Sequence, residues 1–464
     1  MSPIKTRVDS LWDKALPTLK EYIKIPAISP AYHANWEEAG HLDRALDLAL
    51  DWVNGLGLNH AHARILKVET KTPVLLVEID AAPGADSGTT LLYGHMDKQP
   101  EAHGWDANKG PWTPVMEDDK LYGRGSGDDG YALFAALIAI KALQDENIPH
   151  GRCVLLIETC EESGSFDLDH YLYAYAERIG TPKLIICLDS GCGDWERLWI
   201  TTSLRGLLEV NLSVSLIDQT IHSGNSGLVA SSFRILRQLL DRIEDAKTGE
   251  LHLKTLNTPI PDIRWDQAQK TASVLTAPLS ENIPLVPGGK TMAGDTATLL
   301  INSTWRPALS YIAAQGIPGP DVAANALRPA TQMTLSFRTP PSTDTQAAFR
   351  ELKEKIEMDP PYGARVELTL NAGADGWDMA HPGQAIENRI QKAARACFGH
   401  DPCFRGNGGS IPFMTLLSQQ FPRAEVLITG VLGPHANAHG PNEFLHIPYV
   451  KKLTTAVAHI LGDL

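Results

Sequence analysis

Short apolar runs and amphipathic stretches alternate along the chain as far as Arg205. Runs at 74–79, 90–94, 153–159 and 184–188 predict buried strands, and helical spacing over 42–56 and 131–143 predicts helices between them. This alternation predicts an α/β layer built on a largely parallel sheet. After Gly206 the pattern changes. Leu208, Val210, Leu212, Val214 and Leu216 alternate with Glu209, Asn211, Ser213 and Ser215, which predicts a strand with one buried and one wet face. Phe233, Leu236, Leu240 and Ile243 follow helical spacing. Met333, Leu335 and Phe337 mark a second alternating strand with Arg338 on its polar side. Phe349, Leu352 and Ile356 mark a second helix, and Val366, Leu368 and Leu370 a third strand. This grouping predicts a small α+β unit with a sheet on one side and helices on the other. From Asp378 onward the first pattern returns, with a strand at 425–429 and a helix over 449–461. The arrangement predicts a discontinuous α/β domain, residues 1–206 and 378–464, into which an α+β unit, residues 207–377, is inserted.

At ~150 residues per domain, a chain of 464 is long enough for two large domains or three smaller ones. Hydrophobic residues at 43% supply an ordinary globular core and exclude wholesale disorder. With 41 basic against 55 acidic residues the formal charge is −14, so neither nucleic acid nor an anionic membrane is an expected partner. The longest apolar stretch, 131–143, falls short of the ~20 residues that span a bilayer. The opening MSPIKTRVDSLWDK carries no apolar secretory segment, so the expected location is cytoplasmic. The six cysteines show no C-x-x-C spacing, and reduced buried thiols are expected rather than disulfides or a thiolate metal site.

Five segments carry residues suited to chemistry. In Tyr93-Gly94-His95-Met96-Asp97, residues i and i+2 at a strand end share a face, so Asp97 can orient the ring of a metal-binding His95; a surface pair is the plainer reading. Gly123-Arg124-Gly125 opens a segment that superficially resembles a dinucleotide fingerprint. Asp128 stands where its third glycine belongs and would repel a pyrophosphate, which excludes a nucleotide-dependent oxidoreductase. Asp128 is therefore either a helix cap or a ligand. Glu161 and Glu162 follow a strand directly, and two adjacent carboxylates repel unless a cation or solvent screens them. Asp189 ends the strand LIICL, and His439 lies in a Gly/Pro-rich loop. Two imidazoles and three carboxylates suit a pair of zinc or manganese ions, with one glutamate left over for proton transfer.

At this point the chain resembles a di-zinc metallopeptidase family. That family includes carnosinase-type and cytosolic nonspecific dipeptidases, glutamate carboxypeptidases, acetylornithine deacetylases and succinyl-diaminopimelate desuccinylases. The likeness is nearest to the carnosinase and Cys-Gly dipeptidase branch. YGHMDKQPE, LYGRGSGDD, EESGS, the LDS strand end, TTSLRG, HSG at 222–224, SFRTPP, GGSIP and AHGPNE all fall in family order. The resemblance implies a zinc-peptidase (phosphorylase/hydrolase-like) α/β domain with a mixed sheet flanked by helices. It also implies an inserted ferredoxin-like α+β lid that forms a homodimer.

The same resemblance implies that Asp128 bridges two divalent ions, with His95 and Asp189 completing one site and Glu162 and His439 the other. Glu161 is implied as general base, Asp97 as the group orienting His95, and His222 as a histidine lent to the partner subunit. Asn325, Arg338, His381 and the Gly408-Gly409-Ser410 turn are implied as substrate-binding. Two departures stand out: Gly130 where the family often has Lys, and Gly406-Asn407 where related dipeptidases commonly read Arg-Glu. The implied activity is hydrolysis of dipeptides or short peptides with a free C-terminal carboxylate. An N-acyl amino acid deacylase using the same residues is the nearest alternative. A non-catalytic binding protein is disfavoured by the intact Glu161 and ligand set.

Overall fold

The computed structural model describes residues 2–85, 88–281, 283–292, 294–380 and 382–462. The apolar runs of the amino-terminal part become the centre of a nine-stranded sheet among the described residues. Its middle is a parallel set in the spatial order Arg152–Glu158, Thr89–His95, Pro182–Cys187 and Glu425–Ile428. These strands read as continuous apolar runs because helices cover both faces. The sheet is mixed rather than largely parallel. Ala61–Leu66 and Val74–Ile79 add antiparallel strands at one edge, and Trp199–Leu204 at the other takes Trp377–Asp378 antiparallel and Cys403–Asn407 parallel.

Helix Tyr131–Asp145 is apolar all round and buried accordingly, held between the sheet and the helices Pro3–Ile23 and Ile447–Gly462. A buried bond from Trp12 Nε1 to Thr454 Oγ1 at 2.9 Å ties the two terminal helices together. All the strands and helices anticipated in this part are present, displaced at their ends by a few residues.

The inserted segment carries a four-stranded antiparallel sheet in the order Ala308–Gln315, Ala330–Thr339, Gly206–Ser215, Arg365–Ala374. With helices Ser232–Leu240 and Thr345–Glu357 between strands, the chain order is βαββαβ and the spatial order 4-1-3-2, the ferredoxin-like arrangement. Leu208, Val210, Leu212 and Val214 are buried against Ile235, Leu236, Leu239, Leu352 and Ile356, so the alternation seen in the sequence is the inner face of this sheet. Phe233 departs from its expected place. The buried stripe of its helix is Ile235, Leu236 and Leu239, which leaves Phe233 39% exposed. Helices Asp262–Val274 and Thr296–Thr304 lie against Cys403–Asn407 of the large sheet, where Thr271 Oγ1 donates to the carbonyl of Phe404 at 3.1 Å.

Candidate metal centre

Parallel strands direct their carboxyl ends, and the loops that follow them, to one edge of the sheet. Here three adjacent parallel strands end in His95, in Glu158 just before Glu161 and Glu162, and in Cys187 just before Asp189. Asp128 arrives from the loop ahead of helix Tyr131–Asp145. That helix has Gly130 as its N-cap and no side-chain cap, so Asp128 does not cap it. His439 reaches the same place from the carboxy-terminal loop.

The two oxygens of Asp128 divide between two histidines. Oδ1 lies 3.3 Å from His95 Nε2, and Oδ2 lies 3.1 Å from His439 Nε2. Asp189 Oδ2 is 3.9 Å from His95 Nε2, and Glu162 Oε2 is 3.3 Å from His439 Nε2. His95, Asp128 and Asp189 form one group with converging donor atoms, and Asp128, Glu162 and His439 a second. A cation with ligands ~2.0–2.2 Å away sets tetrahedral donors roughly 3.3 Å apart, so these spacings fit metal binding. His95 supplies a further test. Its Nε2 is buried with no hydrogen-bond partner among the described residues, although it faces Asp128 and Asp189. A buried nitrogen left so is costly unless something else binds it.

The electrostatics agree. Glu161 and Glu162 are not a solvated turn, since their side chains are only 12% and 4% exposed. Burial, with Asp189 next in importance, pushes Glu161 well above the usual carboxylate range. Burial and the Asp128 charge raise Glu162 to about 8, and burial raises Asp189 to about 6. Burial would also raise Asp128, yet the imidazoles of His439 and His95 outweigh it and hold that carboxyl below its ordinary value. Burial opposes the protonation of His439, but Asp128 and Glu162 lift it to about 9. So many acidic groups around two imidazoles repel one another until positive charge is added.

Asp97 does more than orient a ring. Its Oδ1 lies 3.3 Å from His95 Nδ1, and its two oxygens also accept the backbone N–H groups of Glu161 and Glu162 at 3.1 and 3.0 Å. One carboxylate thus fixes both the histidine and the turn bearing the two glutamates. Gln99 Nε2 donates to Glu162 Oε2 at 2.7 Å. Glu161 belongs to neither donor group, and its Oε2 stands 4.0 Å from His95 Nε2.

Glu443 was quoted in a motif but given no role by the sequence. It is fully buried, and its Oε1 accepts from the backbone N–H groups of Gly125, Gly127 and Asp128 at 3.0, 3.2 and 3.2 Å. Asp129, also buried, accepts the His95 backbone N–H through Oδ2 at 3.2 Å. The acidic letter of AHGPNE was the available signal for Glu443, and the second Asp of GDD for Asp129. The departure at Gly130 has a steric reason. A Cβ there would stand 2.1 Å from Tyr22 Cε1, so the ring of Tyr22 occupies the space of any side chain.

The remaining expected residues divide into two places. Arg338 donates from Nη1 to Ser410 Oγ at 3.2 Å, and the Gly408 carbonyl of the same turn accepts from Arg205 Nε at 3.1 Å. The Gly409 N–H is held by Asn407 Oδ1 at 3.0 Å. This turn leads into helix Pro412–Gln420, whose Phe413 stacks on Tyr93, two residues before His95, with ring centroids 3.7 Å apart. His222 and Asn325 lie together elsewhere, on a two-stranded ribbon in which His222 pairs with Ala326 and the Ser223 N–H donates to the Asn325 carbonyl at 3.0 Å. His222 is exposed, its Nδ1 accepts from the Gly224 N–H at 3.0 Å, and it makes no contact with either donor group among the described residues. His381 lies outside the described residues.

Residues 91–463 match the family model described as peptidase family M20/M25/M40. The chain belongs to this family. Among curated relatives, the cysteinylglycine-S-conjugate dipeptidase of Corynebacterium striatum is 25% identical over 388 residues, 82% of each chain. The Cys-Gly metallodipeptidase DUG1 of Saccharomyces cerevisiae is 26% identical over 403 residues, 84% of this chain and 81% of its own. The solved M20 family metallo-carboxypeptidase Sso-CP2 from Sulfolobus solfataricus superposes with a TM-score of 0.77 at 21% identity. The likeness covers 97% of this chain and 99% of that one, and it carries the M20 fold alone. No helix among the described residues is long and apolar enough to cross a membrane.

Proposed function

We propose that this M20 peptidase hydrolyses dipeptides or short peptides that end in a free carboxylate. The observation that carries the reading is Asp128, whose two oxygens each face a different histidine and so join two donor groups into one centre. The dipeptidase names of the relatives favour an aminoacyl over an acyl substrate. His95, Asp128 and Asp189 would hold one divalent ion, and Asp128, Glu162 and His439 the other. Imidazole and carboxylate donors without sulfur suit zinc, with manganese the alternative. Such ions, when bound, supply Lewis acidity and lower the pKa of water toward neutrality.

The protein's own groups do the rest. Glu161, buried beside the donors but part of neither group, takes the proton of the attacking water and returns it to the leaving amine. Asp97 holds Glu161 in position through the backbone and His95 through its ring. Arg338, already bonded to Ser410, offers a planar fork to the substrate carboxylate, with the Gly408–Gly409 turn beside it. His222 and Asn325 act from the inserted unit, residues 207–377, and the exposure of His222 is in keeping with its serving the partner subunit of a homodimer. Six cysteines without a disulfide are in keeping with a cytoplasmic setting.

The test is a substrate panel on enzyme reconstituted separately with zinc and with manganese. Dipeptides should be cleaved with higher kcat/KM than the matching N-acetyl amino acids. The opposite order would replace this reading with that of an N-acyl amino acid deacylase.

A further inference from the structure

Arg205 and Arg338 flank the Gly408–Ser410 turn from two directions, Arg205 from the link between Trp199–Leu204 and Gly206–Ser215, and Arg338 from Ala330–Thr339. Both are partly buried, and their partners among the described residues are carbonyl and hydroxyl oxygens, with no carboxylate paired to either. Arg205 spends Nε on the Gly408 carbonyl at 3.1 Å and Nη1 on the Arg306 carbonyl at 3.3 Å. Its Nη2 group has no partner among the described residues and lies 3.2 Å from where a Cβ on Gly408 would sit, at the surface of the turn. Asn407, whose carbonyl accepts the Arg205 backbone N–H at 3.4 Å, is uncharged, and its amide oxygen holds the Gly409 N–H. Burial, followed by the charge of Arg338, pushes Arg205 down to about 10. Two adjoining guanidiniums without a counter-ion are unfavourable in a half-buried place, and the more noteworthy on a chain of net charge −14.

One substrate α-carboxylate would balance only one of these cations. We propose that Arg205 and Arg338 together select peptides with two negative charges at the carboxyl end, so that the preferred carboxy-terminal residue is glutamate or aspartate. This rests on the dipeptidase reading given above. Arg338 with Ser410 takes the α-carboxylate, and the free edge of Arg205 takes the side-chain carboxylate.

The experiment compares Ala-Glu with the isosteric Ala-Gln on the metal-reconstituted enzyme, together with Arg205→Gln and Asn407→Glu. The wild type should prefer Ala-Glu in kcat/KM by about tenfold or more, as expected when a charged group replaces a neutral amide beside a guanidinium. Arg205→Gln should abolish the preference. Asn407→Glu, which adds a carboxylate at the residue whose carbonyl accepts the Arg205 backbone N–H, should reduce it to within about threefold. Equal rates for the two substrates in the wild type, or a preference that survives in Arg205→Gln, would overturn the proposal while leaving dipeptide hydrolysis standing. If neither dipeptide is cleaved, the dipeptidase reading fails on its own. Calorimetric binding of the reduced-amide analogues of Ala-Glu and Ala-Gln then decides the present point, tighter binding of the glutamyl analogue supporting it and equal binding refuting it.

Discussion

Glu443 accepts a hydrogen bond from Arg124 Nη1 at 2.6 Å, and both side chains are 1% exposed or less. The same guanidinium donates from Nη2 to the His439 carbonyl at 3.0 Å, while Glu443 gathers three backbone N–H groups of the 125–128 loop. A single buried ion pair thus fixes Asp128 and His439 relative to each other, although more than 300 residues separate Arg124 from Glu443.

Glu443→Gln leaves Arg124 as a buried unpaired cation, a change that costs about 3–5 kcal/mol. A lower Tm and weaker binding of metal are expected together. Arg124→Met combined with Glu443→Leu removes the unpaired cation, but it leaves the three buried N–H groups without their acceptor, so it should recover only part of the Tm while metal binding stays weak. Thermal melts and metal titrations on both variants check this. Full metal affinity in the double variant would reduce the pair to a stability element.

The adjacent glutamates should separate cleanly. Glu161→Gln should keep its metal content and lose kcat by ~10²–10⁴, the range of general-base catalysis. Glu162→Gln should instead lose one metal equivalent. Metal analysis beside steady-state kinetics distinguishes them, and exchanged phenotypes would exchange the roles.

Metal affinity should rise with pH. In the metal-free protein Glu162 at about 8 and His439 at about 9 hold protons at pH 7, and Asp189 at about 6 holds one only in more acidic solution. Metal ligands must be deprotonated, so binding near neutrality expels protons and weakens as the pH falls from about 9 toward 6. Calorimetric titrations in buffers of different ionisation enthalpy should register proton release at pH 7. Proton uptake, or an affinity independent of pH over that interval, would contradict the assignment.

A composite site predicts complementation. His222→Ala and Glu161→Gln should each be nearly inactive alone, while their mixed dimer regains up to half of the wild-type activity. In that dimer the subunit with intact Glu161 receives the intact His222 of its partner. Metal-replete mixed dimers that remain as inactive as the parents would show that His222 does not act across an interface.

Much of this protein was written locally. The apolar runs became the central strands, and the alternation from Leu208 to Val214 became the inner face of the small sheet, because side-chain period and burial are properties of neighbouring residues. His95, Asp128, Glu161, Glu162, Asp189 and His439 stood out as candidates because each sits at a strand end or in a glycine-rich loop, while the role expected of each came from the family resemblance. Whether Asp128 capped a helix or faced two histidines was decided by tertiary structure, since both fit the same letters. The antiparallel edges of the large sheet, the hold of Asp97 on two backbone N–H groups and the Arg124–Glu443 pair were likewise decided there. Periodicity reports which way a residue faces on its own element. Which distant element meets it depends on how the whole chain buries its apolar surface and satisfies its buried polar groups, and no local pattern encodes that.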